Sequence, residues 1–290
     1  MFVIFGASSD IGRRVTRYLL DAGHQTRIVA SNPCDLDRRA ERVVGTILNT
    51  NEITRDAEVV ISCAHARHTS QLLPNLGRKV RQVVLVGSAW RYSLLKNAKA
   101  DEVRAGEAAF LESNYCGVML HPTMIYGGTQ EKNIQQLWKA ICRWPVVPLP
   151  GGGKHLIQPI YVDDVAKCVV AAAQKRWNYS AVIPIAGPKP IRWRKMVEVL
   201  MKEAGCRRVL VPVPLSPLVG FLRLLAYLGI SAPFDPDILR RFREDVNISV
   251  ERMQIELGVK PRAFEIGVRE ALTQWRAIID PGIGGRHTGG

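Results

Sequence analysis

The sequence predicts an α/β protein: a doubly wound parallel sheet with a smaller C-terminal substrate lobe. Three observations lead there. An apolar run, FVIF (Phe2–Phe5), passes directly into a glycine-bounded turn, GASSDIG (Gly6–Gly12). Short, β-prone apolar runs then recur between segments with helical spacing. Most of these runs are apolar on both faces, as strands covered by helices on two sides must be.

Taken in order, RRVTRYLLDAG follows the turn and reads as a helix from Arg13 to Ala22. Val15, Leu19 and Ala22 recur on its buried face, and Gly23 stops it. The second strand is Thr26–Ala30, ended by SNP. Val43–Leu48, Glu58–Ala64, Gln82–Ser88 and Gly117–Pro122 read as the third to sixth strands. Alternation of strands with helical segments implies right-handed crossovers and a parallel sheet. On this reading residues 1–126 form a nucleotide-binding domain to which 159–185 return. Residues 127–158 and 186–280 make the lobe, and Pro281–Gly290 is a flexible tail.

The chain has 290 residues, 47% of them hydrophobic and 23% charged, enough to bury a core without metal or disulfide support. Its six cysteines (Cys34, Cys63, Cys116, Cys142, Cys168, Cys206) are scattered without a C-x-x-C pair, which suits a reducing cytoplasm. Met1 leads straight into the first strand with no basic n-region, so no signal peptide is expected. The most apolar stretch, Val209–Ile230, is interrupted by three prolines and Arg223. It fails as a spanning helix and reads as a proline-stepped loop before a packed helix, with peripheral membrane contact as the alternative. The net charge of +14 attracts polyanions. The arginines are spread along the chain with no aromatic-interleaved basic stripe, so no nucleic-acid partner is expected.

A strand, a glycine turn and a helix N-terminus together make an anion site, because exposed amides and the helix dipole point at a bound diphosphate. Gly6 permits the tight turn and Gly12 lets the helix pack close. Ser8 and Ser9 supply hydroxyls for phosphate oxygens. Asp10 is expected to point away, capping the helix, beside Ile11. Ala64 and Pro122 end strands at the same edge of the sheet.

At this point the chain resembles the short-chain dehydrogenase/reductase superfamily, in its extended or atypical branch. GASSDIG is similar to that family's GxxGxxG turn, with Ser9 at the middle glycine. SAWRYS (Ser88–Ser93) resembles its SAxxYG, and HPTMIYGG (His121–Gly128) its RPxxIYGP with His121 for the arginine. QPIYVDDVAKCVVAA (Gln158–Ala172) and ELGVKPRAFEIGVREAL (Glu256–Leu272) resemble its later motifs. The resemblance covers almost the whole chain. It implies a Rossmann domain with a substrate lobe, NAD or NADP as ligand, and a small-molecule substrate. Ser31 and Asn32 stand where NAD-preferring sites place an acid, and Arg13, Arg38 or Arg39 could pair with a 2′-phosphate, so the sequence leans to NADP.

In the family, a tyrosine and a lysine four residues later share a helix face; the lysine holds the nicotinamide ribose and lowers the tyrosine pKa, so that the phenol can exchange a proton during hydride transfer. Counting back from HPTMIYGG places Glu107 on the family's glutamate, Val103 on its lysine and Lys99 on its tyrosine. A literal Y-x-x-x-K occurs earlier, as Tyr92 to Lys96, four residues after Ser88. Lys96 and Val103 share a face if one helix spans both.

Three readings follow. One is a reductase or nucleotide-sugar epimerase/dehydratase using Ser88, Tyr92 and Lys96. The second is an enzyme whose proton donor is His65, His68 or His121. The third is a dinucleotide-binding regulator or accessory subunit without turnover. Metal binding through His65 and His68 is not expected, for want of a third ligand. Asp163 and Asp164 are expected to cap the helix that they precede. The apolar wall around Leu215–Ile230 suits a lipid-like ligand or a partner protein as well as a sugar nucleotide, and the basic run Leu239–Glu244 could meet phosphate.

Overall fold

The computed structural model describes residues 1–31, 36–130, 134–215, 220 and 244–279. Asn32, Cys34, most of the stretch beyond Leu215, the run 239–243 and the tail lie outside these residues.

The chain opens with β1 (Phe2–Phe5), α1 (Asp10–Asp21), β2 (Thr26–Ala30), β3 (Glu41–Val44), the single turn α2 (Thr50–Ile53) and β4 (Val59–Ser62). The turn α3 (Thr69–Leu72), β5 (Gln82–Val86), α4 (Ala98–Leu111) and β6 (Cys116–Pro122) follow. Next come β7 (Ile125–Tyr126), α5 (Ile134–Arg143), β8 (Val146–Pro150), β9 (Leu156–Ile157), β10 (Ile160–Tyr161), α6 (Val162–Gln174) and β11 (Ser180–Ile185). The described chain closes with β12 (Ile191–Arg192), α7 (Trp193–Ala204), β13 (Val209–Val213), α8 (Glu251–Leu257) and α9 (Phe264–Ile279).

The seven-stranded sheet runs β3-β2-β1-β4-β5-β6-β11, and every pairing in it is parallel. The order reverses at β1, so β1 and β4 bound a crevice at the carboxyl edge, where ligands bind in open α/β sheets. Side chains alternate across the strands. Ile4, Ile28, Ile61, Val84 and Val118 pack against α1 and α6 residues such as Val15, Leu19 and Val165. Val3, Val29, Val60, Val83 and Met119 face Leu72 and Phe110 on the other side. Both faces are covered, as the continuous apolar strands require.

Several element ends shift by one to three residues from the sequence reading, and two differences are larger. The third strand is Glu41–Val44, not Val43–Leu48, because Gly45 makes the last bond to Ala30 O and the chain then leaves the sheet. The edge strand β11 was not legible as a strand, since Pro184 interrupts its β pattern; Pro is tolerated there because β11 pairs only with β6.

A separate apolar cluster joins Tyr126, α5, β8, α7 and α9. Trp275 is fully buried in it, packs on Trp138 at 5.7 Å and donates its Nε1–H to Gly128 O at 2.8 Å. An ionic clamp ties α6 to the lobe. Arg262 donates from Nη2 to Asp164 Oδ1 at 2.8 Å and to Asp163 Oδ2 at 3.0 Å. Its Nη1 reaches Glu270 Oε2 at 2.5 Å, and its guanidinium lies 4.4 Å above the Tyr161 ring. Asp163 and Asp164 therefore do not cap their helix as expected. Tyr161 is the cap residue and both acids fall in the first turn, where Arg262 and Tyr18 hold them.

Candidate nucleotide site and substrate cleft

The turn between β1 and α1 depends on its glycines. Gly6 has φ +71°, and a Cβ there would lie 2.8 Å from the Ala64 N and Cys63 C atoms. A Cβ on Gly12 would lie 2.3 Å from Gly6 O. Ser9 caps α1: its Oγ accepts the Gly12 N–H at 3.0 Å and donates to Gly6 O at 2.8 Å. The Ser9 hydroxyl is thus engaged within the turn, a correction to its expected role as a phosphate donor. Asp10 does turn away from the helix end, but Ser9 supplies the cap in its place. The Asp10 carboxylate accepts from Thr129 N–H at 3.0 Å and Gln130 N–H at 2.8 Å. Ser8 is exposed, and the Asp10 and Ile11 amides head α1 with no intrahelical acceptor. Backbone pressed close by two glycines, together with first-turn amides, fits a dinucleotide's diphosphate.

A cleft of about 530 Å³ opens between the sheet edge and the lobe. Ser9, Asp10, Ile11, Ser88 and Pro122 line it, with Cys63, Trp90, Lys99 and Thr123. The lobe contributes His155, Ile157 and Trp193. Gly6, Gly12 and Ala64 form the turn's backing. Ser31 is exposed beyond the end of β2. Burial pushes the Cys63 thiol up to about 12 and lowers the His155 imidazole to about 4.

Tyr92 and Lys96 are not among the cleft's lining residues. Tyr92 ends a single 3-10 turn, Ala89–Tyr92, and Ser93 is extended. Helix α4 starts only at Ala98, capped by Asn97, so no helix spans Lys96 and Val103 and the shared face expected of them does not form. Burial, then the Glu107 charge, raises the Tyr92 phenol above its ordinary value, the opposite of what a proton-exchanging tyrosine needs. Lys99, in the tyrosine's register, lines the cleft. Val103, in the lysine's register, is buried in the core.

His121 is wholly buried. Its Nδ1 accepts the Ser88 N–H at 3.0 Å, and its Nε2 lies 2.7 Å from Glu107 Oε2. With Nδ1 accepting, Nε2 carries the proton and donates to the carboxylate. Arg91 Nε donates to the other Glu107 oxygen at 2.7 Å. Burial holds the His121 imidazole below its usual value against the pull of Glu107. The histidine thus supports the Ser88 turn from behind. A Cβ on Gly87 would meet His121 Nδ1 at 2.3 Å. Gly87→Ala should displace the ring, break the Ser88 contact and lower stability by about 1–3 kcal/mol, read by thermal denaturation.

His65 accepts from the Arg67 N–H at 3.3 Å and lies 3.6 Å from Glu102; neither it nor His68 lines the cleft. Among the described residues no three His, Cys, Asp or Glu side chains are grouped to hold a metal ion. A second hollow, of about 560 Å³, runs along α1 past Ala7, Arg13 and Asp37. Arg39, a candidate for a 2′-phosphate, is committed to Asp37 at 2.8 Å and Asp21 at 2.7 Å. The sequence pointed to Lys99 only as a register position. It gave no sign of His155 and Trp193, which reach the cleft by tertiary packing.

No family model matches the chain. A curated relative, an uncharacterized protein y4nG of Sinorhizobium fredii, is 24% identical over 173 residues, 58% of this chain. The match spans 43% of that relative, so the chain covers less than half its length. Among solved structures, UDP-glucose 4-epimerase from Thermotoga maritima aligns with a TM-score of 0.73 at 16% identity, covering 96% of this chain and 99% of that one. UDP-glucuronic acid 4-epimerase from Bacillus cereus, in complex with UDP-glucuronic acid and NAD, gives the same TM-score, identity and coverage. TunA, an NAD-dependent NDP-hexosamine 5,6-dehydratase, aligns at 0.70 and 13%, covering 95% and 97%. The fold is therefore the extended Rossmann architecture of nucleotide-sugar epimerases and dehydratases, over almost the whole chain.

Proposed function

We propose that this chain binds a nicotinamide dinucleotide on the Gly6–Gly12 turn and acts on a small molecule in the cleft, as a reductase or nucleotide-sugar epimerase/dehydratase. The observation that carries the reading is a glycine-backed helix N-terminus opening into a cleft at the reversal of strand order. NAD is favoured over NADP, because Arg39 is held by two aspartates and the aligned solved complexes named with a dinucleotide carry NAD.

A nicotinamide bound there supplies hydride exchange with a carbon of the substrate. The chain's own residues do the rest. Ser88 Oγ, fixed by the Trp90 N–H at 3.3 Å, orients the substrate oxygen. Lys99, which lines the same cleft, serves as the proton donor in place of the absent phenol. Ile11, Ile157 and Trp193 exclude water. On this reading Tyr92 and Lys96 are not the proton relay. Lys99→Met should lower turnover by about 100-fold or more, while Tyr92→Phe leaves it unchanged and dinucleotide fluorescence titrations match the parent for both. Loss of turnover in Tyr92→Phe alone would return the role to that tyrosine.

One observation favours the third reading, a binding protein without turnover: buried Val103 occupies the register of the ribose-holding lysine. Tight binding with no turnover across sugar-nucleotide and carbonyl substrates would select it.

A further inference from the structure

The parallel ladder of β8 and β13 presents an outward face that the site does not use. Val209 stands opposite Val146, and Val211 opposite Pro148, so period two puts these four on one side. Val147 and Leu149 point the other way, into the lobe core. Val146, Val209 and Val211 are 46%, 62% and 40% exposed, and Trp144 beside them 58%.

The segments that carry this face have charge of one sign. No aspartate or glutamate occurs from 134 to 162 or from 204 to 215, the described stretches that supply the ladder. Glu203, just before the second, is paired with Arg269 at 2.9 Å. Arg143 lies 5.9 Å over the Trp144 ring. Arg208 is pinned beside it by bonds to Ile141 O at 2.7 Å and Cys142 O at 2.9 Å, and Arg207 is exposed.

We propose that this face docks on an anionic lipid bilayer. Exposed valines enter the acyl boundary, Trp144 sits at headgroup level, and Arg143, Arg207 and Arg208 meet lipid phosphates. The complementarity is to a continuous negative surface, since the described segments that form the face offer cations and apolar area and carry no carboxylate of their own. Among the described residues no helix is long and apolar enough to cross a membrane. The turn Gly151–Gly153 joins β8 to the segment carrying cleft residue His155.

The test is co-sedimentation of the full chain with phosphatidylcholine vesicles with and without about 30% phosphatidylglycerol. Binding is expected to the anionic vesicles only. Val209→Glu/Val211→Glu should weaken it about tenfold or more, and Arg143→Glu/Arg207→Glu by about fivefold per position, on the scale of one surface cation. Brominated lipid should quench tryptophan emission in the parent and less in Trp144→Phe. Val211→Ser serves if the double glutamate variant melts early. Absence of anionic-vesicle binding, or binding unchanged in the folded variants, overturns the proposal. So does a concentration-dependent dimer, dissolved by the same variants, in a chain that ignores vesicles.

Discussion

Gly12→Ala is expected to abolish dinucleotide binding and to lower folding stability by about 2–3 kcal/mol. The cause is local. A methyl at this position meets Gly6 O at 2.3 Å and the Ala7 Cα at 2.7 Å, both backbone atoms that no rotamer can move. Relief requires α1 to slide from the turn, which breaks the Ser9 cap to the Gly12 amide and moves the first-turn amides off the diphosphate position. Gly23→Ala is the control. Gly23, unlike Gly12, has positive φ, +79°, but a Cβ there meets nothing within 4 Å, so it should cost only about 1 kcal/mol and leave binding intact. Isothermal titration with NAD and NADP, paired with thermal melts, reads both. Full affinity in a stable Gly12→Ala protein would remove the turn from the site.

The second large effect belongs to Arg262. Arg262→Ala leaves Asp164, whose side chain is 3% exposed, as a buried charge without its cation. Removing one partner of such a group costs about 3–5 kcal/mol. Arg262→Lys keeps the charge but loses the fork that serves Asp163, Asp164 and Glu270 and the stacking on Tyr161, so it should fall between. The pH dependence has a definite sign. Burial pushes the Asp163 carboxyl up, but the Tyr18 hydroxyl, Lys167 and Arg262 together hold it below its ordinary 3.8. A carboxyl lowered in the folded state contributes stability above the unfolded value, lost as pH falls through the folded one. The parent should therefore lose stability from this group only below about pH 4, and Arg262→Ala should lose less there because its contribution is already reduced. Chemical denaturation at a series of pH values measures both; equal melting of parent and Arg262→Ala at neutral pH would show the clamp to be energetically idle.

What the sequence revealed follows what is local. FVIF, GASSDIG and RRVTRYLLDAG carry their own strand, turn and helix signals, and the structure has all three in that order, with β1 as predicted and α1 starting at Asp10 instead of Arg13. Features set by distant partners were hidden. Asp163 and Asp164 read as caps because their cation, Arg262, lies 99 and 98 residues further on. Asp10 read as a cap because the loop at Thr129 and Gln130 is 119 residues away. The tyrosine–lysine pair is a related case: Y-x-x-x-K brings both groups to one face only on a helix, and Asn97 starts that helix after Lys96. The Ser88–His121–Glu107–Arg91 chain was unreadable, since neither His121 nor Glu107 announces the other.

The order of segments bears on synthesis. Strand β11 can join β6 only after the whole excursion through α5 to α6 has been made, and Gly128 finds its Trp275 partner close to the end of the described chain. A nascent chain leaving the ribosome therefore holds a parallel sheet with an open β6 margin and a lobe lacking its central indole. Chaperone engagement should end, and protease resistance begin, only once α9 has emerged.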